Sequence, residues 1–199
     1  MKSLYIYGAS GHGLVVADIA KSCGYNKIIF IDDGDNDFMS FDEIKTKNKT
    51  PLVFGIGSNK IRKRLYEKVK MYDFELVNLI HPSAIVSESV TIDFGVVIMP
   101  NVVVNANTKI GKCVILNSSS VVEHENIIED FVHISPCVSI AGNVKVKCNT
   151  HIGIGSSIIQ NIRVGKNCII GAGSIVINNV DDNKLAYGNP CKTIKELSE

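Results

Sequence analysis

The chain has 199 residues, 45% of them hydrophobic, and a formal net charge of +1. That length allows one or two cores of ordinary size, and so even a charge balance carries no electrostatic footprint for nucleic acid or an anionic membrane. No apolar run reaches the about 20 residues needed to span a bilayer.

In chain order, Met1-Lys2-Ser3-Leu4-Tyr5-Ile6 enters a strand directly and does not read as a signal peptide, which points to the cytoplasm. The strand Leu4 to Tyr7 runs into a glycine loop, Gly8-Ala9-Ser10-Gly11-His12-Gly13, and then an apolar helical stretch from Leu14 to Cys23 that stops at Gly24. A second strand, Lys27 to Ile31, ends in Asp32-Asp33 and a loop rich in Asp, Asn, Lys and Thr. A third strand covers Leu52 to Ile56, Ser58 is placed to cap a helix from Asn59 to Met71, and Glu75 to Leu79 reads as a last strand. Alternating strands and helices make residues 1–80 a small Rossmann-like α/β domain, with the boundary at His81-Pro82, where proline holds its predecessor extended. The cations Lys60, Arg62, Lys63 and Arg64 read as one solvated helix face.

The glycine spacing is not that of the dinucleotide fingerprint. A glycine turn between strand and helix still lets phosphate oxygens approach backbone N–H groups at the positive helix end. An acidic pair at the end of the next strand is placed for a ribose hydroxyl. Eighty residues leave no room for the second half of a dinucleotide site, so a mononucleotide or nucleotide sugar is expected. A tight turn without ligand, and a capped strand end at Asp32 and Asp33, are the alternatives.

From Ile80 to Val176 every sixth residue is aliphatic. A second row four residues later is mostly small or β-branched, and the position two after the first row is often polar or a turn former, as at Pro82, Pro100, His124, Pro136 and Gly142. Six residues advance about 240° around an α-helix and would smear such a row over three faces, whereas an even period keeps a pleated strand in phase. Residues 81–199 are therefore expected to form a parallel β-helix of hexapeptide repeats. The six cysteines are scattered, none in a C-x-x-C pair, and read as free thiols.

If three sides complete a coil, residues 18 apart stack about 4.8 Å apart. His133 and His151 then share an outward column, and Gly142 stacks above His124 at a corner. Glu123-His124-Glu125-Asn126 is the densely polar stretch, with Asn126 breaking the second inward row. A histidine flanked by carboxylates is equipped for proton transfer near neutral pH. His133 with His151 raises a zinc site as an alternative, without a close His pair to support it.

End to end, these motifs resemble the bacterial sugar acyltransferases that join a small nucleotide-sugar domain to a left-handed β-helix, closest in type to the UDP-4-amino-sugar N-acetyltransferases of bacillosamine synthesis. The resemblance rests on Tyr5 to Gly13, Phe30-Ile31-Asp32-Asp33, Ile56 to Asn59, Asn78 to His81, Asn117 to Ser120, Glu123-His124-Glu125, Ala141 to Val144 and Gly188 to Lys192. It implies a homotrimer using acetyl-CoA and a UDP-amino-sugar, without a metal, its active sites in clefts between neighbouring β-helices. His124 is implied as general base, with Glu125 orienting it, Glu123 a helper and Asn117 beside the sugar. His133, Gly142, Ile154 and Ala172 are implied contacts of acetyl-CoA. Gly8, Gly11, His12 and Gly13, with Asp32 and Asp33, are implied to hold the nucleotide sugar. Cys191 departs from the family's usual alanine. The rival readings are O-acetylation of a sugar such as sialic acid and a trimeric scaffold without catalysis.

Overall fold

A computed structural model describes residues 2–47 and 50–197. Met1, Asn48 and Lys49 of the polar loop, Ser198 and Glu199 lie outside the described residues. The N-terminal part is a parallel three-stranded sheet of order β2-β1-β3, from β1 (Ser3–Tyr7), β2 (Lys27–Ile31) and β3 (Leu52–Phe54). Helix α1 (Gly11–Ser22) begins three residues before the expected start, so the end of the glycine loop is its first turn. A short helix α2 (Phe41–Ile44), with a capping box from Ser40 and Glu43, lies in the stretch read as loop. Helix α3 (Asn59–Val69) starts at Ser58, whose hydroxyl accepts the Ile61 N–H at 3.4 Å. The segment read as one last strand divides. Leu76 bridges to Leu52, while Leu79–Ile80 pairs with Val97–Ile98 in the second part of the chain.

That second part is a prism of two-residue strands, each paired in parallel with a strand 18 residues away, such as His133 with His151. Its first face runs from Leu79–Ile80 to Lys184–Tyr187, its second from Ile85–Val86 to Ile175–Val176, its third from Thr91–Ile92 to Arg163–Val164. It is the left-handed β-helix of the hexapeptide kind. The aliphatic row fills its axis: from Ile98 to Val176 every member is at most 4% exposed. Ile80, in the first coil, is 37% exposed, because the row has no coil beneath it there. Lys184–Tyr187 and an antiparallel strand, Lys192–Glu196, extend the first face at the other end.

Each corner turns through one residue of positive φ, at every sixth position from Gly95 to Gly173. Asn and Gly tolerate that conformation best, and they hold all of these positions except five in succession: Cys113, Ser119, Glu125, Phe131 and Cys137. The third corner, between the third face and the next turn of the first, meets the α/β part. Cys113 and Phe131 are buried there, with Tyr66 of α3 against Phe94 and Phe131 at ring distances of 6.0 and 5.4 Å.

Arg62 pins the two parts together and corrects its reading as a solvated cation. It is 1% exposed. Its guanidinium donates to the carbonyls of Ile56, Gly57, Cys113, Phe131 and Val132 and to the Asn59 side chain. The helical period turns position 62 inward with Leu65 and Val69, and leaves Lys60, Lys63 and Arg64 outside. All six cysteines are free thiols. Among the described residues no helix is long and apolar enough to cross a membrane.

Candidate active site

The second corner, between the second and third faces, carries Glu123 to Asn126. Asn126 is wholly buried, and its amide donates to the Glu123 carbonyl and accepts from the Val144 N–H at 2.7 Å. The Thr108 hydroxyl one coil away donates to the same Glu123 carbonyl at 2.9 Å. The break in the inward row is thus a staple that fixes the turn and leaves His124 outside, its side chain 58% exposed. Glu125, at φ 61°, bends back so that its carboxylate meets His124 Nδ1 at 3.0 Å. Glu123 points elsewhere and accepts from Asn105 Nδ2 at 2.9 Å. Of the two flanking carboxylates, Glu125 is the one that orients the ring, and Nε2 is the nitrogen left open. Gly142 lies against the imidazole one coil on, where any side chain would collide with it. The Gly142 N–H donates to no described residue.

Asn117 and His133 lie elsewhere, on the first face and at its end. Asn117 Nδ2 donates to His133 Nε2 at 3.1 Å, which leaves Nδ1 to donate to the Gly57 carbonyl at 3.1 Å. The ring of His133 therefore bridges the β-helix to the loop after β3. The rings of His12 and His151 lie 6.1 and 4.9 Å from it. Burial, reinforced by His151 and Arg62, lowers the His133 pKa to about 3. Burial and then Arg62 lower that of His12 to about 4, and His12 Nε2 has no partner. Both rings are neutral at pH 7. Among the described residues no group of three or more His, Cys, Asp or Glu side chains forms a metal site.

The glycine loop divides by physical role. Gly13 packs so close to the Gly8 carbonyl that a Cβ would lie 2.0 Å from its oxygen, and a Cβ on Gly55 would lie 2.6 Å from the same atom. Gly8 itself takes φ 115°. These glycines let helix and strand approach, and Gly55 is a member the sequence reading missed. Gly11 is exposed with open space about it, at the first turn of α1, where backbone N–H groups lack helical acceptors. Asp32 accepts from the Ala9 and Gly34 N–H groups at 2.9 Å and from Asn36, which lowers its pKa. Asp33 accepts from Tyr7, from the Phe41 N–H at 2.9 Å and from Lys68 at 2.8 Å. Both carboxylates thus shape the loop from within.

Ile154 and Ala172 lie at the first corner, both exposed, Ile154 at 54%. Three groups result within one chain: His124, Glu125 and Gly142 at the second corner, Ile154 and Ala172 at the first, and Asn117, His133 and His12 between the first face and the glycine loop. Arg62, Gly55 and the backbone conformation of the five strained corner positions are what sequence reasoning missed. The signal for the corners was present as an Asn/Gly column interrupted between residues 113 and 137.

Residues 3–69 match the family described as the PglD N-terminal domain. The chain is 29% identical over 166 residues to a GDP-perosamine N-acetyltransferase of Escherichia coli O157:H7, covering 76% of this chain and 75% of that one. It is 35% identical over 114 residues to a UDP-N-acetylbacillosamine N-acetyltransferase of Bacillus subtilis strain 168, covering 50% and 52%. Its structure superposes with a TM-score of 0.93 on a histidine-to-alanine variant of the GDP-perosamine N-acetyltransferase of Caulobacter crescentus, solved with CoA and GDP-perosamine. That enzyme is 30% identical, over 98% of this chain and 97% of that one.

Proposed function

The chain belongs to the nucleotide-sugar N-acetyltransferases typified by these perosamine and bacillosamine enzymes, and from that premise we propose that it transfers acetyl from acetyl-CoA to the 4-amino group of a UDP-linked amino sugar. The observation that carries the chemistry is the His124–Glu125 pair set against Gly142. Glu125 holds Nδ1, so Nε2 takes a proton from the sugar amine as the nitrogen attacks the thioester carbonyl. The C–N bond forms, the C–S bond breaks, and the proton held at Nε2 passes to the departing sulfur, so that coenzyme A leaves as the thiol and the imidazole is neutral again. The Gly142 N–H is the proposed donor to the thioester oxygen, where negative charge develops. The reaction needs no metal and no covalent enzyme intermediate. Positioning two substrates supplies about 7–11 kcal/mol in favourable intramolecular cases, and a backbone laddered on every coil is suited to hold them.

The exposed first turn of α1 at Gly11 is the proposed seat of the nucleotide phosphates, with His12 and Asn117 toward the sugar. Residues 1–80 are assigned to the nucleotide sugar and residues 81–199 to acetyl-CoA. The separation of the second corner from the first is the reason a second copy of the chain enters the account. A homotrimer would bring His124 and Gly142 of one chain to Ile154 and Ala172 of the next. The half-exposed Ile127 and Ile169 on the outer faces, with Ile154 at the first corner, supply apolar area for that contact.

The test is acetyl transfer from acetyl-CoA to a UDP-linked 4-amino-4,6-dideoxy sugar, beside its GDP counterpart and sialic acid, read by mass spectrometry. Turnover on the UDP sugar is expected. Turnover on sialic acid alone would overturn the reading, and turnover on the GDP sugar alone would reassign the nucleotide.

A further inference from the structure

His133 stands on the first face, 7% exposed, between the Ile115 and His151 positions of the neighbouring coils. A neutral imidazole has one donor and one acceptor, and both are used inside the protein. Nε2 accepts from Asn117, whose own amide oxygen takes the Ser118 N–H at 2.9 Å and so fixes which way the amide points. That bond leaves the proton on Nδ1, which donates it to the Gly57 carbonyl. His151 does not compete for either nitrogen, because its Nε2 meets the Ser135 hydroxyl at 3.1 Å. The His133 ring therefore has no polar atom left over for acetyl-CoA, the partner that the family resemblance implies for it.

The carbonyl that receives His133 belongs to the segment on which the glycine loop is seated. Gly57 also accepts from Arg62 at 3.1 Å, so both lone pairs of its oxygen are engaged. Two residues earlier, the Gly55 N–H donates to the Tyr7 carbonyl at 2.8 Å. A Cβ on Gly8 would lie 2.5 Å from Ile56 Cδ1 and 2.8 Å from the Gly55 oxygen. Residues 55–57 and the glycine loop are thus packed as one body. A Cβ on Gly57 would lie 3.7 Å from His12 Nδ1 and 3.9 Å from His133 Cε1, which puts both rings against the same glycine. A chain of hydrogen bonds runs from Ser118 and Asn117 at the first corner, through His133, to the loop that seats Gly8 and His12.

On the transferase reading given above, we propose that His133 is a positioning residue for the nucleotide sugar: it registers the glycine loop on the β-helix and holds the Asn117 amide, so that a ligand anchored at Gly11 meets Asn117 in a fixed geometry. Such a ligand spans two bodies, and its binding depends on their registration. UDP alone rests on the α/β part and acetyl-CoA on the β-helix, and neither spans the two. Arg62 keeps the parts together when His133 is changed, through its bonds to Cys113, Phe131 and Val132.

The experiment is the substitution His133→Phe in the full-length protein, which keeps a ring and removes both hydrogen bonds. The KM for the nucleotide sugar that the unsubstituted protein acetylates is expected to rise at least tenfold. The KM for acetyl-CoA and the Kd for UDP are each expected to stay within twofold, a division that a general loss of packing would not produce. An unchanged sugar KM, or a comparable rise for acetyl-CoA or UDP, would overturn the proposal. A second measurement needs neither the variant nor turnover. Nitrogen NMR of the His133 ring in the unsubstituted protein at pH 7 is expected to show the neutral Nδ1–H form, with the Nε2 signal unmoved by saturating acetyl-CoA. The Nε2–H form, or an Nε2 signal displaced by acetyl-CoA, would overturn the proposal as well. Absence of turnover on every nucleotide sugar would count against the transferase reading alone, and the ring signals would still decide the role of His133.

Discussion

The Cβ that Gly142 lacks would lie 2.5 Å from Cε1 and 2.6 Å from Nε2 of His124. The two residues are 18 apart in sequence and one coil apart in space, and the glycine at 142 is what gives the imidazole its place. Gly142→Ala should therefore push the ring aside without unfolding the β-helix, whose ladders do not involve this side chain. A displacement of about 1 Å at a reacting group costs on the order of 10²-fold in rate. The expected result is a kcat about 10²-fold lower with an unchanged melting temperature. An unchanged kcat would show that the ring's position against residue 142 does not matter to turnover.

Glu125 occupies a corner conformation that favours Asn or Gly, at φ 61°. A left-handed conformation costs an ordinary residue about 1–2 kcal/mol, and strain kept at a reactive site signals a function for the side chain. Glu125→Asn should raise stability by about 0.5–1 kcal/mol in urea unfolding while lowering kcat. A variant that is both less stable and fully active would contradict both halves of this argument.

Arg62 reached neither the core nor the site in the sequence reading, and the reason is physical. Four cations within five positions look like a solvated face, and only the helical phase relative to Leu65 and Val69 separates the buried one from the rest. Three of the carbonyls that receive it belong to residues 51 to 70 positions away, which no local pattern reveals. The hexad row, by contrast, was legible because each period repeats the same local geometry. His124 and Gly142 were paired correctly because an 18-residue coil turns sequence distance into contact. For Asp32 and Asp33 the sequence leaves a ribose contact and a capped strand end both open, and their contacts with Ala9, Gly34, Phe41 and Lys68 were not legible, since both arrangements share one sequence signature.

Arg62→Ala should cost at least about 3 kcal/mol, because it leaves several buried carbonyls without donors. Urea unfolding should also separate into two transitions as the α/β part and the β-helix lose their common pin. Arg62→Lys should restore little, since an ammonium cannot span the same fan of carbonyls. A loss under about 1 kcal/mol with one transition would contradict the assignment.

Stability should depend on pH through His12 and His133. Their folded pKa values, lowered by burial to about 4 and about 3, lie below the value of about 6.5 for an unfolded histidine. Above that value both states are neutral and the full stability is present. As the pH falls below about 6.5 the unfolded chain binds protons that the folded one refuses, so stability is lost progressively until the folded pKa values are reached. The expected slope is up to about 1.4 kcal/mol per pH unit for each histidine, seen as a falling urea midpoint between pH 6.5 and 4.5. His133→Gln should flatten it. A midpoint constant over that window would contradict the buried neutral rings.

The most direct test of the central claim is the rate of acetyl transfer by His124→Ala under saturating acetyl-CoA and nucleotide sugar, with acetyl-CoA affinity measured in parallel. A positioned general base contributes about 10²–10⁴-fold. The account predicts a kcat lower by that range, with acetyl-CoA binding within a few-fold of the unsubstituted protein. A kcat within about threefold of the original would remove His124 from the proton transfer and with it the chemical reading of the second corner.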